Sequence, residues 1–340
     1  MSAPAHPAVP RLVDRHPTVA PERLVAELVP PPHFAGVRFS TYVPDPAQPS
    51  QARALAAVET FASRVGRRPV SRGFFRRSRP SSDQGRGIYL DGGFGVGKTH
   101  LLASLWHAAE GPKAYGTFVE VTNLVGALGF ADAVEALSGH ALLCIDEFEL
   151  DDPGDTVLVS TLLTRLAEAG VQLAATSNTL PEALGEGRFA AQDFLREIQG
   201  LSRRFDTVRI DGEDYRHRGV PVAPAPMTPE EVRSAAEATP GATLDRFPAL
   251  LTHLSRVHPS RYGALLDGVS AVHLLDVEPV TDQSTALRLV VLGDRLYDRD
   301  VPVRASGAPL DRLFPPDFLK GGYRKKYLRT LSRLTALASA

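Results

Sequence analysis

The sequence has very little cysteine and no long apolar run. Its single cysteine, Cys144, cannot form a disulfide within the chain, which is typical of a protein from a reducing compartment. No stretch approaches the roughly 18 consecutive apolar residues of a membrane span. The N-terminus lacks the apolar core of a signal peptide. We therefore expect a cytoplasmic location.

The chain also has almost no net charge. Its 340 residues include 38 Lys and Arg against 39 Asp and Glu, a formal charge of −1. This balance argues against a protein that coats nucleic acid through bulk electrostatics. A hydrophobic fraction of 43% is ordinary for a globular protein, and the length suggests two domains.

Proline and arginine are unevenly distributed near the N-terminus. Residues 1–50 hold eleven of the 28 prolines, and we expect a disordered lead-in over residues 1–35. A helical segment with a basic loop follows over residues 36–86. Residues 64–79 carry seven arginines, no acid and the pair Phe74-Phe75. A solvated basic loop is the favoured interpretation of this run, and a nucleic-acid contact is the alternative.

Short apolar runs alternate with helical patterns from residue 87 to residue 220. This alternation predicts an α/β fold, in which a parallel sheet is covered by helices on both faces. The runs that we expect to form strands are Ile88–Leu90, Thr117–Val121, Ala141–Ile145, Gln172–Thr176 and Thr207–Ile210.

The pattern changes after a proline-rich linker near residue 221. We expect a smaller, mostly helical lid domain over residues 221–340. Within it the pattern predicts a helix over residues 243–256 and short strands near residues 270–275 and 301–304.

A glycine-rich loop follows the first predicted strand. Glycines let a backbone wrap closely round a phosphate group, and a helix that begins at Lys98 would direct its positive dipole end at the anion. Lys98 can reach the β- and γ-phosphates of ATP, and the Thr99 hydroxyl can ligate Mg²⁺. The residues that satisfy the pattern G-x-x-x-x-G-K-[ST] are Gly92, Gly93, Phe94, Gly95, Val96, Gly97, Lys98 and Thr99.

Two acidic residues, Asp146 and Glu147, follow the third predicted strand. Parallel sheets present the carboxyl ends of their strands to the ligand crevice, so we expect both acids near the phosphate loop. Asp146 would hold Mg²⁺ directly or through water. Glu147 would activate a water molecule against the γ-phosphate as a general base.

Two further elements carry candidate catalytic residues. Asn178 ends another apolar strand, where it could orient the attacking water; an asparagine that starts a turn is the alternative. Arg203 and Arg204 precede the last predicted strand, and either could act as an arginine finger on a neighbouring subunit's nucleotide. Arg188 and Arg196 compete for this role, and a solvated surface arginine is the remaining alternative.

The order of these elements resembles the AAA+ branch of P-loop ATPases. Residues 146–155 look like the D-E-F-x-x-x-D-P-x-D signature of the ZapE-like cell-division ATPases and their mitochondrial relatives. The similarity extends over roughly residues 35–338. Its other motifs are Gln51 before an Ala-rich helix, Ala175–Pro181, Asp214-Tyr215-Arg216 and Arg329–Leu334.

This resemblance implies a Mg²⁺-dependent ATPase. Arg333 or Arg329 would contact the nucleotide from the lid, and a solvated basic helix face is the alternative for either. The resemblance further implies a hexamer-type homo-oligomer that remodels a protein partner, such as the tubulin-like ring protein of dividing bacteria. The roles argued above carry over to Lys98, Thr99, Asp146, Glu147 and Asn178.

Two other functions compete with this one. A nucleic-acid-associated AAA+ ATPase of the loader or initiator type is the alternative, because the run over residues 64–79 would supply phosphate contacts and a stacking surface. A small-molecule P-loop kinase is disfavoured, because no acceptor-site motif is evident.

Overall fold

The computed structural model describes residues 9–66, 87–93, 95–148, 153–180, 199–200, 202–212 and 223–339, with the backbone alone for 153–156. The chain divides into two units. The larger unit spans Ala20–His217, and the smaller unit combines Met1–Val19 with Arg218–Ala340. In the described ranges no helix is long and apolar enough to cross a lipid bilayer.

The larger unit contains a five-stranded parallel sheet with the order β2-β3-β4-β1-β5. Every residue of β1 and β3 is buried, which explains why their sequences are almost continuously apolar. The predicted parallel sheet is confirmed. In chain order the strands are β1 (Gly87–Gly92), β2 (Lys113–Thr117), β3 (Leu142–Asp146), β4 (Gln172–Ser177) and β5 (Phe205–Ile210).

Helices cover both faces of this sheet. Cys144 of β3 packs into a cluster with α2 and α3, while its neighbours Leu143 and Ile145, which point to the opposite face, are equally buried. Burial raises the pKa of the Cys144 thiol, which therefore behaves as a small apolar residue. The helices are α1 (Pro21–Ala26), α2 (Pro49–Ala62), α3 (Lys98–Ala108), α4 (Phe118–Leu128), α5 (Phe130–Ser138) and α6 (Pro153–Glu168).

The second strand differs from the sequence prediction. A strand is predicted over Thr117–Val121, but β2 ends at Thr117 and α4 begins at the next residue. The reason is a capping box: the Thr117 hydroxyl accepts the N–H of Glu120 at 3.2 Å, and the Glu120 carboxylate accepts the N–H of Thr117 at 2.6 Å. These two bonds satisfy N–H groups that a helix start leaves unpaired, so the helix can begin directly after the strand.

The smaller unit is mostly helical and contains a three-stranded parallel sheet, β6-β7-β8. The predicted helix over residues 243–256 is wrong in its first turn, because residues 242–246 pair with β7 as a strand. The elements are α7 (Pro229–Ala238), β6 (Ala242–Arg246), α8 (Phe247–Arg256), α9 (Tyr262–Leu265), β7 (Ala271–Val277), α10 (Gln283–Asp298), β8 (Val303–Gly307) and α11 (Arg324–Ser339).

Residues 9–35 differ from the disordered lead-in that their proline content predicts. Leu12 is fully buried in the core of the smaller unit. The carboxylate of Asp245 accepts the N–H groups of Leu12 and Val13 at 2.9 and 3.1 Å. Residues 20–35 belong to the larger unit and include α1. Partners more than 200 residues away in the chain give residues 9–19 their order, and no local pattern reveals them.

Candidate active site

The phosphate loop connects the carboxyl end of β1 to α3. Gly95 and Gly97 have φ angles of 79° and 89°, in the left-handed region that favours glycine. A Cβ on Gly92 would lie 2.2 Å from the carbonyl oxygen of Ile210, so the loop can begin here only with glycine. α3 begins at Lys98, and its unpaired N–H groups and positive dipole end lie beside the loop. This arrangement suits an anion.

Lys98 is buried at the start of α3. Its Nζ donates to the carbonyl oxygens of Gly92 and Gly93 at 2.8 and 2.5 Å, and to Oδ1 of Asn178 at 2.9 Å. An ammonium group has three donors and no acceptor, so these bonds orient it fully. Lys98 and Asn178, the polar residue predicted after β4, therefore lie in contact beside the loop.

Asp146 ends β3 with its carboxylate buried among hydroxyl groups. Its Oδ1 accepts hydrogen bonds from the hydroxyls of Thr99, at 3.3 Å, and Thr176, and its Oδ2 accepts one from Tyr115 at 3.0 Å. Burial raises the pKa of Tyr115 well above its ordinary value, and the charge of the neighbouring Asp146 raises it further. Tyr115 therefore remains a hydrogen-bond donor. These bonds offset the cost of removing a carboxylate from water.

Glu147 has a φ angle of 53°, which a residue with a Cβ rarely adopts. Its N–H points at Oδ1 of Asp146 and at the Thr176 hydroxyl, both at 3.1 Å. The next residue, Phe148, is fully buried, packs edge-on against Phe118 and donates its N–H to the Thr176 carbonyl at 2.7 Å. A left-handed backbone costs about 1–2 kcal/mol. The contacts on each side hold Glu147 in this conformation.

A cavity of about 280 Å³ brings the principal candidate residues together. They come from the phosphate loop and from the carboxyl ends of β3 and β4, which share one edge of the parallel sheet. The cavity thus combines a cation for phosphate groups, hard oxygen ligands and a carboxylate that can accept a proton. The predicted side chains in its lining are Lys98, Thr99, Asp146, Glu147 and Asn178.

The oxygen atoms of Thr99 and Asp146 fit a magnesium ion. A hydroxyl oxygen and a carboxylate oxygen lie 3.3 Å apart, and both residues line the cavity. Mg²⁺ prefers oxygen ligands and is commonly held by one or two protein groups together with substrate phosphates. The donor set therefore matches this ion.

Arg203 and Arg204 lie at the amino end of β5, away from the cavity. Arg203 is exposed and donates Nε–H to the carbonyl of Gln199 at 3.2 Å. The carbonyl of Arg204 accepts the N–H of Gly87, at the start of β1, at 2.7 Å. Because the phosphate loop follows the other end of β1, neither arginine joins the cavity within one chain. An arginine-finger role stays a prediction that requires a second copy.

Arg333 and Arg329 lie on α11 of the smaller unit. The carboxylate of Asp294 on α10 accepts hydrogen bonds from Arg333, at 2.5 Å, and from Arg329, at 2.8 Å. The Arg333 guanidinium also lies 5.0 Å from the ring centre of Tyr297. Both arginines thus attach α11 to α10, and a contact with the nucleotide stays a prediction.

Several predicted residues lie outside the described part of the chain. They are Phe94 of the phosphate loop, the competing arginines Arg188 and Arg196, and all of the basic run beyond Arg64 except Val65 and Gly66.

Four residues near the cavity were missed by the sequence analysis. Thr176 had a weak signal, because it is a hydroxyl-bearing residue within a buried apolar run. Tyr115 had none, since its contact with Asp146 depends on β2 lying beside β3. Phe34 and His100 also line the cavity. Phe34 precedes the sheet by more than fifty residues, so no local pattern could place it there.

The sequence is similar to those of known proteins. The AFG1-like ATPase family matches residues 18–240 and 223–340. The chain is 28% identical to cell division protein ZapE of Escherichia coli (strain K12) over 297 residues, which cover 75% of this chain and 78% of that protein. It is 28% identical to lactation elevated protein 1 homolog B of Danio rerio, over 42% of this chain and 32% of that protein.

Among solved structures, replication initiator DnaA bound to AMPPCP and single-stranded DNA aligns with a TM-score of 0.41 at 14% identity. That alignment covers 54% of this chain and 51% of the DnaA chain, about half of each. The family match, by contrast, extends over nearly all of the sequence. It confirms the similarity to ZapE-like ATPases that the motifs indicate. The chain belongs to the AFG1-like ATPase family and is an ATP-hydrolysing enzyme.

Proposed function

We propose that the cavity beside the phosphate loop binds ATP with Mg²⁺ and is where hydrolysis takes place. The observation that carries this proposal is the convergence of the loop lysine, Asp146, Glu147 and Asn178 on one cavity. A protein family establishes the reaction class but assigns no role to a residue of this chain.

Each side chain has a role that its position supports. Lys98, the loop N–H groups and the amino end of α3 bind the phosphate oxygens. Thr99 and Asp146 would hold magnesium, which supplies charge neutralisation on those oxygens when bound.

The hydrolytic step is assigned to Glu147 and Asn178. Glu147 accepts the proton of the attacking water, a contribution of about 10²–10⁴-fold for general-base catalysis. Asn178 orients that water through its amide, beside the ammonium group that it contacts at 2.9 Å.

We further infer that hydrolysis is coupled to remodelling of a protein partner in the cytoplasm. The Escherichia coli relative is named as a cell division protein, and its similarity extends over three quarters of this chain. A component of the division ring, such as the tubulin-like ring protein, is therefore the proposed partner. Arg203 and Arg204 lie at the amino end of β5, whereas the cavity lies at the carboxyl ends of the strands. Either arginine could therefore contact a nucleotide only in a neighbouring subunit. We propose that the oligomer is a hexamer.

Co-sedimentation with polymers of the purified tubulin-like ring protein tests the partner. Glu147→Gln should sediment with the polymer in ATP, because it binds the nucleotide without hydrolysing it. Wild type should change the amount of sedimented polymer during ATP turnover. Lys98→Ala, which cannot bind ATP, should do neither and is the control.

The partner and the ATPase site fail separately in this experiment. If Glu147→Gln stays in the supernatant and wild type leaves the polymer unchanged while still hydrolysing ATP, the division-ring protein is the wrong partner. If Lys98→Ala hydrolyses ATP as wild type does, the proposed site is wrong.

A further inference from the structure

The phosphate loop packs against a buried tyrosine from the segment before α2. The hydroxyl of Tyr42 donates a hydrogen bond to the carbonyl oxygen of Val96 at 3.0 Å. The tyrosine ring occupies the place of a side chain at the next residue, since a Cβ on Gly97 would lie 2.4 Å from the ring. Tyr42 is only 9% exposed, so water does not readily replace its hydroxyl. The ring and the loop backbone therefore fit only with glycine at position 97.

This contact determines the direction of an N–H group in the loop. All described peptide bonds are trans, so the carbonyl of Val96 and the N–H of Gly97 point in opposite directions from one peptide plane. Because Tyr42 holds the carbonyl on its own side, the Gly97 N–H points away from Tyr42. Gly97 lines the cavity, where an inward N–H is the group that contacts a phosphate oxygen.

The segment that follows β5 supports the phosphate loop at Val96. A Cβ on Gly212 would lie 2.7 Å from Val96 and 3.2 Å from the side-chain nitrogen of Gln51, so the backbone two residues beyond β5 is in close contact with both. Gln51 donates Nε2–H to the carbonyl of Asp211 at 3.0 Å, and its Oε1 accepts the N–H of Asp45 at 2.9 Å. The start of α2 is thereby attached both to the segment that carries Tyr42 and to the strand end behind Val96.

We propose that Tyr42 and Gln51 are positioning residues for the ATPase reaction. Together they fix the Val96–Gly97 peptide with its N–H directed into the phosphate site. Tyr42 acts on the peptide directly, and Gln51 acts by holding the strand end that packs on Val96. The inference rests on the proposed nucleotide site, and it assigns the glutamine in the first turn of α2 to the support of the phosphate loop.

Tyr42→Phe tests this role because it keeps the ring and removes only the hydroxyl. A buried hydrogen bond contributes about 1 kcal/mol, so titration calorimetry should show an ATP dissociation constant roughly five- to tenfold above that of wild type. The kcat at saturating ATP should stay within about twofold, because an interaction used equally in ground and transition states affects KM alone. If Tyr42 contributed to stability alone, Tyr42→Phe would lower the thermal midpoint but would not raise KM while leaving kcat unchanged.

Tyr262→Phe is the matched control. Its hydroxyl donates to the carbonyl of Leu254 at 2.8 Å in the core of the smaller unit, so it loses the same kind of bond far along the chain from the loop. Its ATP dissociation constant should equal that of wild type. Gln51→Glu removes the donor to Asp211 and should reproduce the raised dissociation constant and unchanged kcat of Tyr42→Phe.

The positioning role of Tyr42 and the nucleotide site can be tested separately by measuring Lys98→Ala in parallel. Binding by wild type that Lys98→Ala abolishes establishes the site on its own. Given that result, an ATP affinity of Tyr42→Phe equal to that of wild type, or a loss no larger than in Tyr262→Phe, overturns the role of Tyr42. A reduced kcat with unchanged ATP affinity overturns it as well.

Discussion

Replacement of Thr176 by valine should slow ATP hydrolysis while the larger unit remains folded. Thr176 is buried in β4, where its hydroxyl donates to Oδ1 of Asp146 and accepts the N–H of Glu147 at 3.1 Å. Valine has nearly the same shape, so the substitution removes the hydroxyl with little change in packing. The lost hydroxyl therefore no longer positions Asp146, the proposed magnesium ligand, or Glu147, the proposed general base.

The structure limits how large this loss can be. A hydrogen bond to a charged group contributes about 1.5–3 kcal/mol. Oδ1 of Asp146 keeps two donors, the Thr99 hydroxyl at 3.3 Å and the Glu147 N–H at 3.1 Å, so we expect the lower part of that range. A loss of about 1.5–2 kcal/mol in transition-state stabilisation corresponds to a kcat/KM reduced roughly 10- to 30-fold.

The assay is steady-state phosphate release over a series of Mg²⁺ concentrations. Thr176→Ser keeps the hydroxyl and should remain within about threefold of wild type, so it is the matched control. Thermal midpoints of both variants confirm that the unit is folded. A Thr176→Val enzyme with wild-type kcat/KM at every magnesium concentration would refute the reasoning, and so would a Thr176→Ser enzyme that is equally slow.

Three further substitutions test other parts of the structure. Lys98→Ala should abolish ATP binding measured by calorimetry, because the cavity loses its cation; unchanged affinity would contradict the assignment of the site. Asp294→Ala should lower the free energy of unfolding of the smaller unit by about 1–3 kcal/mol in urea, since two half-buried arginines lose the carboxylate that they share; no change would mean that this carboxylate does not stabilise the packing of α11 on α10. Leu12→Ala should cost about 2–5 kcal/mol in the same unit, and an unaffected urea midpoint would show that residues 9–19 are not part of its core.

The phosphate loop and the acidic strand end could be predicted because each is encoded in a few consecutive residues. Thr99 and Asp146 are separated by 47 positions, yet each lies at or beyond the carboxyl end of its own strand, and parallel strands place such residues at one edge. The sequence could not place Tyr115 or Thr176, because their contacts depend on which strand lies beside which. It could not place Tyr42 either, because its partner Val96 lies 54 positions further along the chain. Register across a sheet is a property of the whole fold and not of a local pattern.

The fold shows the same division between local and long-range information. The apolar periods over residues 282–297 and 321–338 predict helices, and α10 and α11 occur close to these positions. β6 was missed because Ala242–Arg246 continues into a helical pattern, and its pairing with β7 decides its conformation. The proline content of residues 9–19 predicts disorder, but Asp245, which binds their backbone, lies more than 200 positions away.

The central claim is that the cavity beside the phosphate loop hydrolyses ATP with Glu147 as the base. The most direct test compares ATP binding by calorimetry with single-turnover hydrolysis in Glu147→Gln. The amide keeps the shape of the carboxylate but cannot take a proton, so binding should match wild type while hydrolysis falls about 10²–10⁴-fold. Hydrolysis by Glu147→Gln at the wild-type rate would contradict the claim and place the base on another residue.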